Sequence, residues 1–353
     1  MTPKMWVTMT TARPEHIAEQ ARQGEIDGWD GMTFADTQCL VGDTYVMMTA
    51  AALATERLHL SISTSNPATR HPAVTASAIA SIAAIAGDRV SFGIGRGDSA
   101  LAYVGGAPAS VPLFERYVVA VRRYLHGEPV PFESILDWRL TRDVSTMELS
   151  HSPDDSRIVW LDPEATPPPI EVFATGPRVL AVAGRWADKV TIAVGADFDR
   201  IAWAIETARS ARSDAGLDPA TLSIGALMSV GVADDVNLAR RSVANGVAAN
   251  ARFTIMGGSV VGPADAAKRS VYEAIGRTYD MNHHGGPGDQ VNQLTDDFID
   301  SFAIVGSPQR CIERILELHT LGIDYFVLGR PQEGYQRLVE EVLPEVRAAT
   351  AIS

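Results

Sequence analysis

The stretch "EVFATGPRVLAVAGRWADKV", residues 171–190, contains the repeating unit of the fold. The apolar run Ile170–Ala174 is typical of a buried strand. A helical stretch opens at Pro177 and ends at Trp186, because proline at a first turn needs no N–H partner. A second apolar run, Lys189–Val194, follows directly. A strand, a helix and another strand at this spacing predict a parallel sheet with crossover helices.

The same alternation extends along the whole chain. Eight candidate strands are predicted, at Met5–Thr10, Gly31–Ala35, Leu58–Thr64, Val90–Ile94, Ile170–Ala174, Lys189–Val194, Leu222–Val232 and Tyr325–Leu328. Eight strands that are each followed by a helix predict an α/β fold, a (β/α)8 TIM barrel, formed by one domain over residues 1–353. A doubly wound open sheet is the alternative, and it usually has about five or six strands.

Two segments interrupt the repeat and are predicted to be insertions. Residues 127–169, after strand four, carry clustered charges and end in "PPP", and we expect a small hairpin there. Residues 257–302, before strand eight, include "YDMNHHGGPGDQVNQLTDD" and lack apolar periodicity. Long connections of this kind are often lids or binding loops. We expect the second insertion to contain a mobile lid over the barrel mouth.

Charge and composition argue against several classes of protein. The chain has 30 Lys and Arg against 43 Asp and Glu, and the formal net charge of -13 opposes binding to nucleic acid or anionic membranes. We expect no membrane span and no secretory signal. Cys39 and Cys311 are too few for a disulfide framework or a cysteine-rich zinc site. We therefore expect a cytoplasmic protein without a metal.

The active site of a (β/α)8 barrel lies at the carboxyl ends of its strands, which selects the candidate residues. These are Asp36 after strand two; Ser63, Thr64, Ser65 and Asn66 at the end of strand three; Gly95, Arg96, Gly97 and Asp98 after strand four; and Ala174, Thr175 and Gly176 after strand five. Small residues after strand three would let a flat ligand approach the backbone. The strand-five turn precedes a helix, whose N-terminus favours an anion, and Thr175 would add a hydroxyl donor. A tight turn without a ligand is the alternative there.

The stretch "GIGRGDS", residues 93–99, does not match a nucleotide-phosphate motif. It lacks the spacing Gly-x-Gly-x-x-Gly and the lysine of a P-loop. The chain also has no Gly-x-Ser-x-Gly or His-Glu-x-x-His motif, and the pair His283 and His284 lies in a polar loop. A barrel mouth with so few polar groups indicates that a cofactor supplies the reactive chemistry.

Four segments together resemble one known family. They are "TSNPATRHPAVTASAIASI" (64–82), "GDRVSFGIGRGDSAL" (87–101), "ATGPRVLAVAGRWADKV" (174–190) and "FAIVGSPQRCIERILELHTLGIDYFVLG" (302–329). In this order they resemble the luciferase-like flavin and deazaflavin oxidoreductases, in particular the branch of coenzyme F420-dependent methylenetetrahydromethanopterin reductase. The resemblance covers the chain outside the two insertions. It implies a (β/α)8 barrel, in agreement with the strand count.

The resemblance also implies where a cofactor binds. The tricyclic ring would lie over the ends of the early strands, and the phosphate would meet the turn at Thr175 and Gly176. Relatives hold a non-prolyl cis peptide against the ring, and this bond falls between Ser63 and Thr64. The sequence therefore predicts a cis peptide at that position.

The resemblance makes two carboxylates candidates for catalysis. Asp36 matches an aspartate near the deazaflavin ring, and Asp98 matches an acidic position on the substrate side. Burial against a flat apolar ring would raise the pKa of either carboxyl and suit it to proton transfer. Several relatives have a histidine directly after the strand-two aspartate, where this chain has Thr37. A histidine proton donor is therefore not carried over.

The implied function is hydride transfer between coenzyme F420 and a small organic substrate. An FMN-dependent two-component monooxygenase of the same fold is the alternative, and the "GRGDS" form favours the deazaflavin. Two further alternatives are a non-catalytic flavin-binding protein and a barrel aldolase or isomerase, for which no lysine is well placed. The resemblance also implies a homodimer formed through early helices. The segment Pro72–Ala86, which is apolar around nearly its whole circumference, suits such a contact.

Overall fold

Parallel strands form the sheet at the centre of the structure, a computed structural model that describes residues 2–351. The strands are β1 Lys4–Thr8, β2 Gly31–Phe34, β3 His59–Ile62, β4 Phe92–Ile94, β5 Ile170–Ala174, β6 Lys189–Ile192, β7 Ser223–Val232, β8 Ile304–Gly306 and β9 Tyr325–Gly329. They pair in the order β3-β2-β1-β9-β7-β6-β5-β4. Residues 1, 352 and 353 of the predicted domain lie outside the described residues, and its extent stays a prediction.

The two ends of this order meet and close a barrel of eight strands. Parallel bridges join Leu60 to Val90 and Ser65 to Ile94, and they connect the β3 side to the β4 side. The predicted (β/α)8 barrel is therefore confirmed. Its eight predicted strands correspond to β1 to β7 and β9.

Strand β8 is the element that the sequence count missed. Ile304–Gly306 pairs only with Val230–Val232, the last three residues of β7. The preceding part of β7 pairs with β6 and β9 inside the barrel. A ten-residue β7 therefore extends past the barrel, and a strand of three residues at its outer end is too short to give a periodic signal.

Helices surround the barrel and connect its strands. They are α1 Pro14–Ile26, α2 Thr44–Ala54, α3 Pro72–Ala86, α4 Ser99–Ala102, α5 Val111–Leu125, α6 Pro177–Trp186, α7 Phe198–Asp214, α8 Val236–Ala251, α9 Ala266–Thr278, α10 Asp296–Phe302, α11 Pro308–His319, α12 Tyr335–Arg337 and α13 Leu343–Ala351. A π-helical turn, Leu338–Val342, joins the last two. Within residues 2–351, no helix has both the length and the apolar composition needed to cross a bilayer.

Large aromatic side chains fill the barrel interior. Trp6, Tyr325 and Val327 form a buried cluster there. A Cβ atom on Gly225 would overlap the Tyr325 ring, so glycine at this register position makes room for the aromatic side chain. Alternation of large and small residues in this way fills the interior with side chains and leaves no pore.

The interior also holds a fully buried carboxylate, Glu171 of β5. Its Oε2 accepts a hydrogen bond from Ser61 Oγ at 2.6 Å. Its Oε1 accepts from Thr191 Oγ1 at 2.5 Å and from the Tyr325 hydroxyl at 2.9 Å. The three donors belong to β3, β6 and β9, so one carboxylate connects four strands of the barrel. Such a group is tolerated in a core only because each oxygen is hydrogen-bonded.

A half-buried cation, Lys189, lies near this carboxylate. The Lys189 ammonium lies 4.1 Å above the Trp6 ring and 4.6 Å above the Tyr325 ring. Burial lowers the pKa of Lys189, and the nearby Glu171 opposes that shift. Next to them, burial lowers the pKa of His59 to about 3, so its ring is neutral and bonds Ser91 Oγ at 2.6 Å.

The first insertion, residues 127–169, contains no hairpin of strands. One antiparallel bridge joins Val130 to Ser156, and the chain between them forms short 3-10 turns. Trp138 Nε1 donates to the Pro67 carbonyl at 2.6 Å, which fixes the insertion to the loop after β3. The hairpin prediction is wrong, because the segment forms short local turns and is joined by a single bridge instead of by two paired strands.

The second insertion, residues 257–302, has more regular structure than the sequence predicts. It contains α9 and α10, whose apolar residues form a separate buried cluster that includes Tyr272, Ile275 and Phe298. The fully buried Arg200 of α7 donates to the Pro263 carbonyl at 2.7 Å and to the Val261 carbonyl at 3.1 Å. The expectation of no apolar periodicity is therefore wrong for these two helices, and the mobility of the polar part between them stays a prediction.

We expect the Glu171 network to contribute measurably to stability. Replacing Glu171 by Met leaves three buried hydroxyls without their acceptor and should lower the free energy of unfolding by at least about 2 kcal/mol. Glu171→Gln should retain most of the stability, because the amide oxygen can accept from Thr191 and Tyr325 while the amide nitrogen donates to Ser61. Urea unfolding of both variants checks this.

The matched control is Glu206→Met, which removes an exposed glutamate of α7. Equal unfolding free energies for Glu171→Met and Glu206→Met would contradict the role assigned to the network.

Candidate functional site

The predicted residues after β2, β3 and β4 meet at one rim of the barrel. The peptide between Ser63 and Thr64 is cis, as predicted. Ser63 N–H donates to the Phe34 carbonyl at 2.7 Å, and Ser65 N–H donates to the Gly93 carbonyl at 3.0 Å. The end of β3 is therefore bonded to both neighbouring strands, which brings the residues after the three strands together.

Asp36 lies on this rim with only 4% of its surface exposed. Its Oδ2 is 2.8 Å from Ser65 Oγ, and its Oδ1 accepts from Gln38 Nε2 at 2.8 Å. Burial raises the pKa of Asp36, and the hydrogen bond from Ser65 and the positive charge of Arg70 partly oppose this. A carboxyl with a raised pKa is suited to exchange a proton near neutral pH.

Ser65 connects Asp36 to a buried tyrosine. Its Oγ lies 3.3 Å from the hydroxyl of Tyr45 on α2. Burial raises the pKa of Tyr45 to about 12, so this hydroxyl keeps its proton at neutral pH. The sequence analysis did not identify Tyr45, because an aromatic residue in an apolar helix is usually part of the core.

Asn66 is fully buried and has one unsatisfied group. Its Oδ1 accepts from the backbone N–H groups of Ala68 and Thr69 at 3.0 and 3.1 Å, which fixes the turn that follows β3. Its Nδ2 has no hydrogen-bond partner. A buried donor without a partner is costly, so this amide nitrogen is an unfavourable feature of the rim.

The turn after β4 has a backbone shape that requires glycine. Gly97 has φ +85, and a Cβ atom there would lie 2.5 Å from Leu101 Cδ1. Arg96 Nε donates to the Ala109 carbonyl at 2.6 Å, which leaves its terminal nitrogens free. Gly95 N–H donates to the Ser65 carbonyl at 3.0 Å and completes the connection to the residues after β3.

Asp98 differs in its environment from the expected substrate-facing acid. It forms an ion pair with Arg252, whose side chain is 5% exposed. The Arg252 guanidinium also stacks over the rings of Phe253 and Tyr279, at 4.6 and 4.8 Å. Burial lowers the pKa of Arg252 to about 10, which leaves it charged at neutral pH. Asp98 therefore neutralises a buried cation.

Arg252 was missed by the sequence analysis. It follows α8 at the start of a short 3-10 turn, more than 150 positions from Asp98 in the chain. An arginine after a helix is usually solvated, and the sequence contains no signal that this one is buried. Only the folded chain brings it to the rim.

The second insertion lies beside the same rim, as the sequence analysis expected of a covering segment. The Tyr103 hydroxyl donates to the Met281 carbonyl at 2.6 Å. Tyr279 and His284 form a hydrogen bond of 2.8 Å between the hydroxyl and Nδ1. Burial, with the Arg252 charge as a smaller cause, lowers the pKa of His284 to about 4. A neutral His284 therefore borders the β4 turn.

The strand-five turn leads directly into α6. Gly176 is the N-cap residue, and Pro177 begins the helix. The Thr175 hydroxyl donates to the Ala193 carbonyl at 3.0 Å, so its proton is not free for a ligand, contrary to the expectation for this residue. Ala174 is buried at the end of β5.

A pair of arginines stands beside this turn. Burial lowers the pKa of Arg96, and the positive charge of Arg178, in the first turn of α6, lowers it further. Within residues 2–351, neither guanidinium forms a salt bridge. Arg178 directly follows Pro177 in the opening stretch of sequence, so a basic residue at a helix start was a visible signal that the sequence analysis did not use.

The remaining polar residues near the rim have structural partners. The Thr37 and Ser99 hydroxyls lie 3.4 Å apart and join the β2 and β4 loops. His71 Nδ1 accepts from the Ala73 N–H at 3.1 Å and caps α3. In the part of the chain from residue 2 to residue 351, no group of three or more His, Cys, Asp or Glu side chains has the arrangement of a metal site.

Similarity to characterised proteins agrees with this architecture. The chain is 28% identical over 324 residues to 5,10-methylenetetrahydromethanopterin reductase of Methanolobus tindarius, which covers 89% of this chain and 90% of the relative. The coenzyme F420-dependent tetrahydromethanopterin reductase of Methanopyrus kandleri has the same fold, with a TM-score of 0.74 and 21% sequence identity. The match covers 98% of this chain and 100% of that reductase. An F420-dependent secondary alcohol dehydrogenase, solved with an F420-acetone adduct, has a TM-score of 0.72 and 19% sequence identity. The match covers 98% of this chain and 100% of the dehydrogenase.

The family itself is identified by a sequence model. The model of the luciferase-like monooxygenases matches residues 2–325, which include every strand of the barrel up to the start of β9 and both insertions. The resemblance stated from the four motifs is thereby confirmed, and the chain belongs to the luciferase-like monooxygenase family.

Proposed function

We propose that this protein is an oxidoreductase that transfers a hydride between the deazaflavin coenzyme F420 and a small organic substrate. Family membership supports an enzyme that binds a flavin or deazaflavin. The similarity to the reductase and to the alcohol dehydrogenase supports the deazaflavin over FMN, because both of those solved proteins are F420-dependent.

The observation that carries this proposal is the pair Arg96 and Arg178 beside the N-terminus of α6. Arg178 adds its positive charge to that of Arg96, and neither has an acidic partner within residues 2–351, so the two cations favour an anion between them. The ten-residue helix adds its positive dipole end at Gly176. A phosphate group is the anion that this arrangement fits.

The rim fits the ring of such a cofactor. Ser63, Thr64, Ser65 and Asn66 would form one side of its site, with Gly95, Arg96 and Gly97 at the neighbouring turn and Ala174, Thr175 and Gly176 toward the phosphate. When bound, a deazaflavin supplies a carbon that gives or takes a hydride, without oxygen activation.

Asp36 is the better candidate for the proton that accompanies hydride transfer. Its burial favours the protonated form, and no cation forms a direct ion pair with it. Asp98 by contrast pairs with Arg252, and losing that carboxylate charge would leave a buried cation uncompensated. We therefore assign proton transfer to Asp36 and assign Asp98 to holding the rim together with Arg252.

Cofactor binding tests the proposal. Fluorescence titration should show tight binding of F420 and weaker binding of FMN. Arg178→Met should raise the Kd for F420 about tenfold, because it removes one charged contact to phosphate. The same variant should bind the deazaflavin chromophore without its phosphate as well as the unaltered protein does.

The control variant is Arg22→Met, which removes an exposed arginine of α1 and should leave the Kd unchanged. Tight binding of FMN with no binding of F420 would contradict the choice of deazaflavin and would favour an FMN-dependent monooxygenase. Binding of neither cofactor would contradict the proposal as a whole.

We also propose that two copies of the chain associate through α2, α3 and the end of the first insertion. Large apolar side chains are exposed on these elements, namely Val46, Leu53, Val74, Ile85, Val159 and Trp160. A cavity of about 490 Å³ lies between α3 and residues 157–160. Exposed apolar surface of this kind marks an association site, and the predicted α3 contact suits a second copy. A cytoplasmic location stays a prediction.

Light scattering tests the association. The unaltered protein should have the mass of a dimer at micromolar concentration, and Leu53→Asp together with Val74→Asp should convert it to monomer, since each buries a charge in an apolar contact. Leu217→Asp, at a leucine that is exposed away from this surface, should leave the dimer intact. A monomeric mass for the unaltered protein would contradict the proposal.

A further inference from the structure

An ion pair behind the rim is close enough to Asp36 to influence it. Asp43 is the N-cap of α2, and its Oδ1 accepts from the N–H groups of Tyr45 and Val46 at 3.0 and 3.1 Å. Its Oδ2 pairs with Arg70 Nη2. Asp43 therefore has two separable properties, a capping oxygen for the helix and a negative charge for the arginine.

The pair is joined to Asp36 through buried groups. The Arg70 guanidinium lies 4.4 Å from the centre of the Tyr45 ring. The Tyr45 hydroxyl is 3.3 Å from Ser65 Oγ, which is 2.8 Å from Asp36 Oδ2. Tyr45 and Ser65 are buried, whereas the Arg70 and Asp43 side chains are 27% and 42% exposed, so solvent weakens the effect of the two charges on Asp36 without removing it.

The two charges act on Asp36 in opposite directions. The positive charge of Arg70 favours the ionised carboxylate of Asp36, and the negative charge of Asp43 favours its protonated form. The other groups that face Asp36 are neutral. They are Ser65 and Gln38, which bond its oxygens, and the hydroxyls of Tyr45 and Tyr117, both of which have a raised pKa.

We propose that the Asp43–Arg70 ion pair tunes the proton affinity that burial gives to Asp36, with Asp43 offsetting the charge of an arginine that favours the ionised carboxylate. Both are positioning residues, because neither touches the reacting atoms. The inference rests on the proposed function only for the identity of the reaction that uses the Asp36 proton.

A consequence for the substrate follows from this arrangement. A carboxyl that retains its proton can give it to an atom that becomes negative when the adjacent carbon gains a hydride. A reduced cofactor would supply the hydride, Asp36 would give its proton to the oxygen or nitrogen, and the resulting carboxylate would regain a proton from solvent. Substrates with a carbon–oxygen or carbon–nitrogen double bond fit this requirement.

The test measures the protonation of Asp36 in the cofactor-free protein. Carbon-13 NMR of labelled aspartate follows each carboxyl carbon against pH, and the Asp36 signal is the one that disappears in Asp36→Asn. Asp43→Asn and Asp43→Ser remove the charge of residue 43 and keep a capping side chain. Arg70→Met removes the opposite charge, and Arg70→Lys retains it.

Removing the charge of Asp43 and removing the charge of Arg70 should shift the titration midpoint of the Asp36 carboxyl in opposite directions. Asp43→Asn and Asp43→Ser should lower it by about one pH unit, Arg70→Met should raise it, and Arg70→Lys should leave it near that of the unaltered protein. A loss of packing alone would move all variants the same way. Circular dichroism identifies any variant that does not fold. If one of the two Asp43 variants does not fold, the titration of the other one tests the effect of the Asp43 charge.

Midpoints that stay unchanged, or that shift in the same direction in Asp43→Asn and Arg70→Met, would overturn the inference. These titrations need no cofactor, so they fail or succeed separately from the binding experiments on F420. Where hydride transfer is measurable, the pH at which its rate falls as Asp36 loses its proton, on the alkaline side of the pH-rate profile, should shift with the NMR midpoint in each variant.

Discussion

The barrel depends on a carboxylate, Glu171, that is buried where side chains from opposite strands meet. It accepts hydrogen bonds from hydroxyls on β3, β6 and β9, and its negative charge favours the charged form of the half-buried Lys189. A parallel barrel needs its strands at a fixed register, and a polar group with three obligatory partners restricts that register more than apolar packing does. The residues of the rim follow these strands directly, so the fixed register also fixes their positions.

The rim places residues with different tasks side by side. Asp36 is buried and joined to Ser65, whereas Asp98 is used to neutralise Arg252. The two carboxylates thus differ through their surroundings, as expected where one fold separates a proton-exchanging acid from a structural one. The second insertion contributes Tyr279 and His284 to the same wall, which makes it part of the site as well as of its surroundings.

The sequence predicted the repeating architecture well because strand–helix alternation is a local property. The turn at Gly176 and the cis peptide after Ser63 were also predicted, the first from a helix start and the second from resemblance. The strand Ile304–Gly306 and the partner of Asp98 were not, because a three-residue strand has no period and Arg252 reaches the rim only through tertiary packing. The Thr175 hydroxyl was misjudged, since its bond to Ala193 depends on the neighbouring strand.

We expect this protein to move a hydride and not to activate oxygen. Isotope tracing tests it directly: reduced F420 that carries deuterium at C5 is mixed with the protein and a panel of ketones and imines under labelled oxygen gas, with reduced FMN in a parallel sample. Mass spectrometry of the products should find deuterium on the reduced carbon and no label from oxygen. Incorporation of labelled oxygen in the FMN sample, with no deuterium transferred from F420, would contradict the account.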